Sequence, residues 1–323
     1  RDLHYPLRRQ RQMCIRDRLL ATSVQLINQG RWQEAEKHLL QALKNAERVN
    51  DIEQQAMIAI SFGHLYLNYG DLPQAMRMHQ QGFTLTERFC LEQGRDRRSL
   101  GALYNQVGSA YLEQNAYPQA IWYYQRSLEI AEQSGDETGM AVSYSNLGDI
   151  YRQQGDLARA IELYQKSVEY SIKIDDAQLT TNQYNNLGSI YAGQGRYDQA
   201  LAQYKQSLKF SLRLNDRQTT VDAYNNLGAV HYRLGDLAAA RTMYERVLEI
   251  NPQIDNESDA VKIYGNLANI CRQLGDTDNA LTYNHKALSI LEHVGDQKNA
   301  AIFYGNLGVL YREIGDIPLA RKH

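Results

Sequence analysis

Asparagine recurs at a spacing of 40 residues, at Asn146, Asn186, Asn226, Asn266 and Asn306, with Gln106 in the same register. A carboxamide carries one acceptor and two donors, so a row of them can bond the C=O and N–H groups of an extended peptide without reading its side chains. A second register holds Arg152, Arg272 and Arg312. Their planar, fixed-fork guanidinium groups suit carboxylates and point to an acidic peptide or a free C-terminus. Two plainer interpretations stay open: the carboxamides satisfy helix-turn groups of the scaffold, or the arginines are solvated helix ends with local ion pairs.

The elements that must hold these side chains follow from the same period. Tyr144, Leu147, Gly148 and Tyr151 are spaced as one stripe of an amphipathic helix, here helix A of a repeat. Gly155-Asp156 closes that helix and opens a second, since glycine suits the left-handed closing position and aspartate accepts N–H groups at a helix start. The pair returns at Gly70-Asp71, Gly235-Asp236, Gly275-Asp276 and Gly315-Asp316. Helix B then carries Ala160, Leu163, Tyr164, Ser167 and Val168, with a small residue at Ala120, Ala160, Ala200, Ala240, Ala280 and Ala320 wherever two helices must approach closely. Pro73, Pro118 and Pro318 fall in the first turn of helix B, where a missing N–H costs little. Polar turns such as Gly135-Asp136 and Asn215-Asp216 lead into the next helix A.

The run Tyr144-x-x-Leu147-Gly148-x-x-Tyr151 followed by Ala160-x-x-x-Tyr164 resembles the tetratricopeptide repeat signature W-x-x-L-G-x-x-Y…A-x-x-x-F, and six matches stand in phase. The resemblance implies an all-α fold, a right-handed superhelical α-solenoid of tandem antiparallel helix pairs with helices A lining a concave groove. The unit of 40 rather than 34 residues is similar to the repeats of kinesin light chains and Pins-type adaptors, and bacterial regulatory proteins carry similar arrays. In the first two, the matching Asn of N-L-G holds the backbone of a bound peptide. By that resemblance Gln106 and the five asparagines form a peptide-binding ladder. Positions on the same face that vary between repeats, among them Asp149, Asn185, Ser189, Asn225 and Tyr232, would add specificity. The Lys and Arg set of a two-carboxylate clamp is missing.

Residues 19–323 are expected to form about eight repeats, with frames opening near 19, 59, 104, 144, 184, 224, 264 and 304 and the last one truncated. The step from 59 to 104 is five residues longer, so a charged connection is expected over about 91–98. Pro252 alone keeps the family's closing proline. Residues 1–18 carry six arginines outside the pattern and are set aside as a non-native or disordered basic segment, because Met13 to Arg18 resembles translated sequencing-adapter read-through. A basic arm for nucleic acid or lipid is the alternative there.

The 323 residues are 43% hydrophobic and 22% charged with a formal charge of -2, so nothing global draws the chain to nucleic acid or an anionic membrane. No apolar run reaches membrane-spanning length, and Cys14, Cys90 and Cys271 lack metal-site spacing, which together suggest a reducing, cytoplasmic setting. Phosphate loops, zinc-protease motifs and nucleophile elbows are lacking, and the eight histidines are scattered. No catalysis and no cofactor are expected. Two functions stay open: a scaffold that holds a protein or peptide partner, and the sensor segment of a larger signalling protein whose effector domain lies outside these residues. The oligomeric state is not legible.

Overall fold

The computed structural model describes residues 19, 21–93, 98–250 and 257–322. Residues 1–18, Pro252 and residues 94–97 of the expected charged connection therefore lie outside the described residues. All regular structure among the described residues is helical, in two compact units, Arg1–Ile174 and Asp175–His323. In the first, α1 (21–28), α2 (Trp32–Arg48), α3 (Ile52–Asn68), α4 (Leu72–Gln93), α5 (Arg98–Glu113), α6 (Tyr117–Ser134), α7 (Glu137–Gln153) and α8 (Leu157–Lys173) alternate as helices A and B. In the second, α9 (Ala177–Gly193), α10 (Tyr197–Leu214), α11 (Arg217–Arg233), α12 (Leu237–Ile250), α13 (Glu257–Gln273), α14 (Thr277–Val294), α15 (Gln297–Glu313) and α16 (Ile317–Lys322) do the same. Helix α4 runs on through Leu91 to Gln93, so the longer step is absorbed partly by a longer helix B.

Turn chemistry sets these boundaries. Gly155 takes φ +82, which lets the Asp156 N–H reach the Tyr151 carbonyl at 2.9 Å and close α7. The Asp156 side chain then accepts from the Arg159 N–H and starts α8. After α10 the left-handed position is filled by Asn215 at φ 53, and Asp216 caps α11 through the N–H groups of Gln218 and Thr219.

Packing inside each repeat rests on a glycine opposite a large ring. A Cβ added at Gly148 would meet Tyr164 Cδ1 at 2.8 Å, and one at Gly188 would meet Tyr204 Cε1 at 2.6 Å. Ala120, Ala160, Ala200, Ala240 and Ala280 are fully buried, as close helix contact demands. A serine of helix B ties the pair further: Ser127 Oγ donates to the Gly101 carbonyl and Ser167 Oγ to the Ala141 carbonyl, each at 2.8 Å. Tyr104, Tyr144, Tyr184 and Tyr264, which open four of the frames, stack on rings of helices B, as Tyr104 does on Phe83 at 3.9 Å between centroids and Tyr144 on Tyr170 at 5.9 Å.

Candidate functional site

Each ladder asparagine precedes a leucine of the buried stripe, Leu147, Leu187, Leu227, Leu267 or Leu307, and Gln106 precedes buried Val107. One residue along a helix is about 100° of rotation, so the carboxamide turns away from the leucine toward the open side of helix A. Local helix geometry therefore delivers the row, and its partners differ between the units.

In the first unit Gln106 is exposed, whereas Asn146 is half-buried and donates from Nδ2 to Asn105 Oδ1 at 3.4 Å. Asn105 is buried and donates to Ser143 Oγ at 3.2 Å; Ser143 lies 3.1 Å from Ser127 Oγ, which holds the Gly101 carbonyl. Asn146 thus ends a buried polar chain linking α5, α6 and α7, and its carboxamide is committed in part to the scaffold. In the second unit Asn266 is exposed and donates to the Tyr244 hydroxyl at 3.1 Å. Asn186, Asn226 and Asn306 are half-buried and make no hydrogen bond with any described residue.

The arginines also diverge. Arg152 Nε donates to the Tyr164 hydroxyl at 3.1 Å, and that hydroxyl donates to Asp149 Oδ1 at 2.6 Å. Arg272 Nη1 reaches Glu313 Oε1 of the next repeat at 3.4 Å, an exposed pair, and Gln273 Nε2 donates to the Tyr232 hydroxyl at 2.7 Å across the preceding seam. Arg312 is exposed and forms no ion pair among the described residues.

Tyrosine tips of helix B reach the same face, a feature the sequence reading did not draw out. Tyr124 shares a hydrogen bond with Ser109 at 3.0 Å, in the register where Tyr164 meets Asp149. Burial pushes the Tyr204 and Tyr244 hydroxyls up to about 12, and burial followed by the Asp149 bond raises Tyr164 as well, so all three stay protonated donors at neutral pH. At that place in the second repeat the structure pairs two histidines instead. The His64 and His79 rings lie 5.1 Å apart edge to face, with His79 Nδ1 3.2 Å from the Tyr111 hydroxyl. Burial drives His79 down to about 3 and lowers His64 too. A register count of 15 residues from His64 to His79, equal to that from Ser109 to Tyr124, is the signal that could have found them.

Among the described residues no three His, Cys, Asp or Glu converge to hold a metal ion, and no helix is long and apolar enough to cross a membrane. A hollow of about 820 Å³ opens between the starts of α13 and α15 and the end of α14, walled by Val261, Ile290, Val294 and Phe303; no ladder residue lines it.

The family model for the tetratricopeptide repeat matches residues 99–173, 179–253 and 259–323. The chain belongs to the tetratricopeptide repeat family. No curated protein matches the sequence. Among solved structures, this tetratricopeptide array is similar to BtubC (BKLC) from P. vanneervenii at 25% identity and a TM-score of 0.52, over 64% of this chain and 87% of that one. RapI in its apo form is similar over 95% of this chain and 84% of its own, at 17% identity and a TM-score of 0.65. A signal transduction ATPase from Pyrococcus horikoshii, described as having a tetratricopeptide repeat sensor, is similar at 17% identity and a TM-score of 0.64. The match covers 88% of this chain and 42% of the ATPase.

Proposed function

We propose that the protein is a non-catalytic tetratricopeptide scaffold whose helix A face holds an extended peptide segment of a protein partner through its carboxamide row. The observation that carries this reading is the state of Asn186 and Asn226: half-buried, side by side in successive repeats, and without a hydrogen-bond partner among the described residues. Polar groups in such places are normally bonded, so an incoming main chain gains where the scaffold has left donors and acceptors open. Packed helices lie about 8–10 Å apart and an extended chain advances about 3.3 Å per residue, so one carboxamide serves roughly three ligand residues. Arg312, exposed and without an ion pair, supplies the charge for an acidic segment or a C-terminal carboxylate, with Arg152 and Arg272 recruited from weaker local bonds. A cytoplasmic setting goes with this reading.

A second reading, the sensor part of a larger signalling protein, is supported by the likeness to the ATPase whose tetratricopeptide segment is described as a sensor. Both readings use the same face. Selection of a display library of linear 12-residue peptides on the immobilised protein tests the first. Recovered peptides should bind the parent and lose at least tenfold in affinity on the Asn186→Ala/Asn226→Ala variant, with its melting temperature unchanged. A collapse of helicity in that variant would assign the row to the scaffold instead.

A further inference from the structure

The residue just before each ladder position forms an inner register, Asn105, Ser145, Asn185, Asn225, Gly265 and Gly305. In the first unit both ends of Asn105 are held: its Nδ2 donates to Ser143 Oγ at 3.2 Å, and its Oδ1 accepts from Asn146 Nδ2 at 3.4 Å. Asn185 and Asn225 hold the same place in α9 and α11, but the serine partner is replaced by buried Ala223 and Ile263. Their Oδ1 atoms are screened from solvent and accept no hydrogen bond. Glycine stands at 265 and 305, and at 265 the Phe303 ring takes up the space beside it, 3.2 Å from where a Cβ would be. Beside Ala223 and Ile263 the same place is filled by polar carboxamides whose oxygens gain no donor.

A terminal carboxamide turns easily about its last torsion, and one with no anchor presents either its oxygen or its nitrogen to a ligand. Each stands beside a second open carboxamide, giving the pairs Asn185-Asn186 and Asn225-Asn226. In an extended chain the N–H and C=O of one residue point to the same edge, which is how a residue in an antiparallel sheet makes both its bonds to one partner. We infer that each pair is a two-point clamp on the N–H and C=O of a single extended peptide residue, so that Asn185 and Asn225 set a specificity for segments with an unsubstituted main-chain nitrogen at two places. This rests on the peptide-binding reading above and narrows it to α9 and α11. The two clamped residues would stand two apart, the step that returns N–H and C=O to the same edge and comes nearest helix spacings of about 8–10 Å at about 3.3 Å per extended residue.

The test takes a peptide selected on the full chain and remakes it with one N-methyl group at a time. Two positions, two apart, should each lose at least tenfold in affinity when methylated, and the others less than threefold. On the Asn185→Ala/Asn225→Ala variant the parent peptide should bind at least tenfold more weakly, and the penalty for methylation at those two positions should vanish. An Asn185→Leu/Asn225→Leu variant, which fills the same volume without polar atoms, should melt no lower than the parent and show the same loss. If the methylation penalty survives on both variants, or affinity is unchanged while Asn186→Ala/Asn226→Ala still abolishes binding, the clamp is wrong and the ladder stands. If no peptide is recovered at all, the peptide-binding reading falls and takes the clamp with it.

Discussion

Gly188 and Tyr204 fit each other so closely that a single added carbon on the glycine would stand 2.6 Å from the ring. Sixteen residues separate Gly63, Gly108, Gly148, Gly188 and Gly228 from the helix B ring that each one faces, and the chain contains its own compensated version. Where the helix A glycine becomes Ala268, the facing tyrosine becomes Asn284, which is 2% exposed and donates from Nδ2 to the Ala280 carbonyl at 2.8 Å.

Gly188→Ala should therefore destabilise the second unit by about 1–3 kcal/mol through overpacking, and Gly188→Leu by more. Adding Tyr204→Asn to Gly188→Ala should recover part of the loss, as the Ala268 and Asn284 pair does naturally. A thermal-melt double-mutant cycle measures the coupling; strictly additive effects would mean that glycine and ring do not meet.

Tyr164→Phe removes the hydroxyl that bonds both Asp149 and Arg152. A loss of about 0.5–1.5 kcal/mol in stability is expected; Asp149 still lies 3.9 Å from Arg152, so tighter binding of acidic peptides is expected of the Tyr164→Phe/Asp149→Asn variant, in which Arg152 loses both partners. Binding of one acidic peptide to parent and variant at two salt concentrations checks this, and equal affinities would leave Arg152 without a ligand role.

The His64 and His79 pair gives the first unit an acid limb. Burial lowers both imidazoles, His79 from 6.5 to about 3, so the unfolded chain binds more protons than the folded one between those values. Stability is constant above about pH 6.5 and falls below it, by about 1.4 kcal/mol per pH unit for His79. His79→Tyr, the residue found opposite glycine in other repeats, should flatten the drop in melting temperature between pH 7 and pH 5. An identical drop in both proteins would show that other groups govern the acid transition.

Asp216→Ala should cost about 1 kcal/mol by leaving the Gln218 and Thr219 N–H groups uncapped. Hydrogen exchange would register the change as faster exchange confined to the first turn of α11. Uniform exchange across the second unit would instead make the cap a global determinant.

Much of this architecture could be read from the chain itself. The glycine before Asp156, the alanines of helix B and the tyrosine stripe each state a local steric requirement, and they recur in phase. The commitments of the ladder were harder to read. Whether an asparagine is open depends on a partner 38 to 41 residues away, as Asn105 shows by reaching both Ser143 and Asn146. Replacing that serine by Ala223 leaves no trace in the ladder register, although it decides the state of Asn185. The histidine pair escaped for a similar reason, since two unlike neighbours become a pair only when helices A and B are superposed in register.

The serine bonds of helix B carry a mechanical implication. Ser127 and Ser167 each fasten helix B to the helix A of their own repeat through a main-chain oxygen. Between successive repeats of the second unit, the side-chain links at Tyr232 and Arg272 are exposed and easily hydrated. Pulled lengthwise, the second unit would yield at its exposed seams before its hairpins, with the half-buried bond from Arg241 Nη1 to Asp276 Oδ2 as the stiffer joint, so an elastic response under load would come from the seams while every hairpin stays intact.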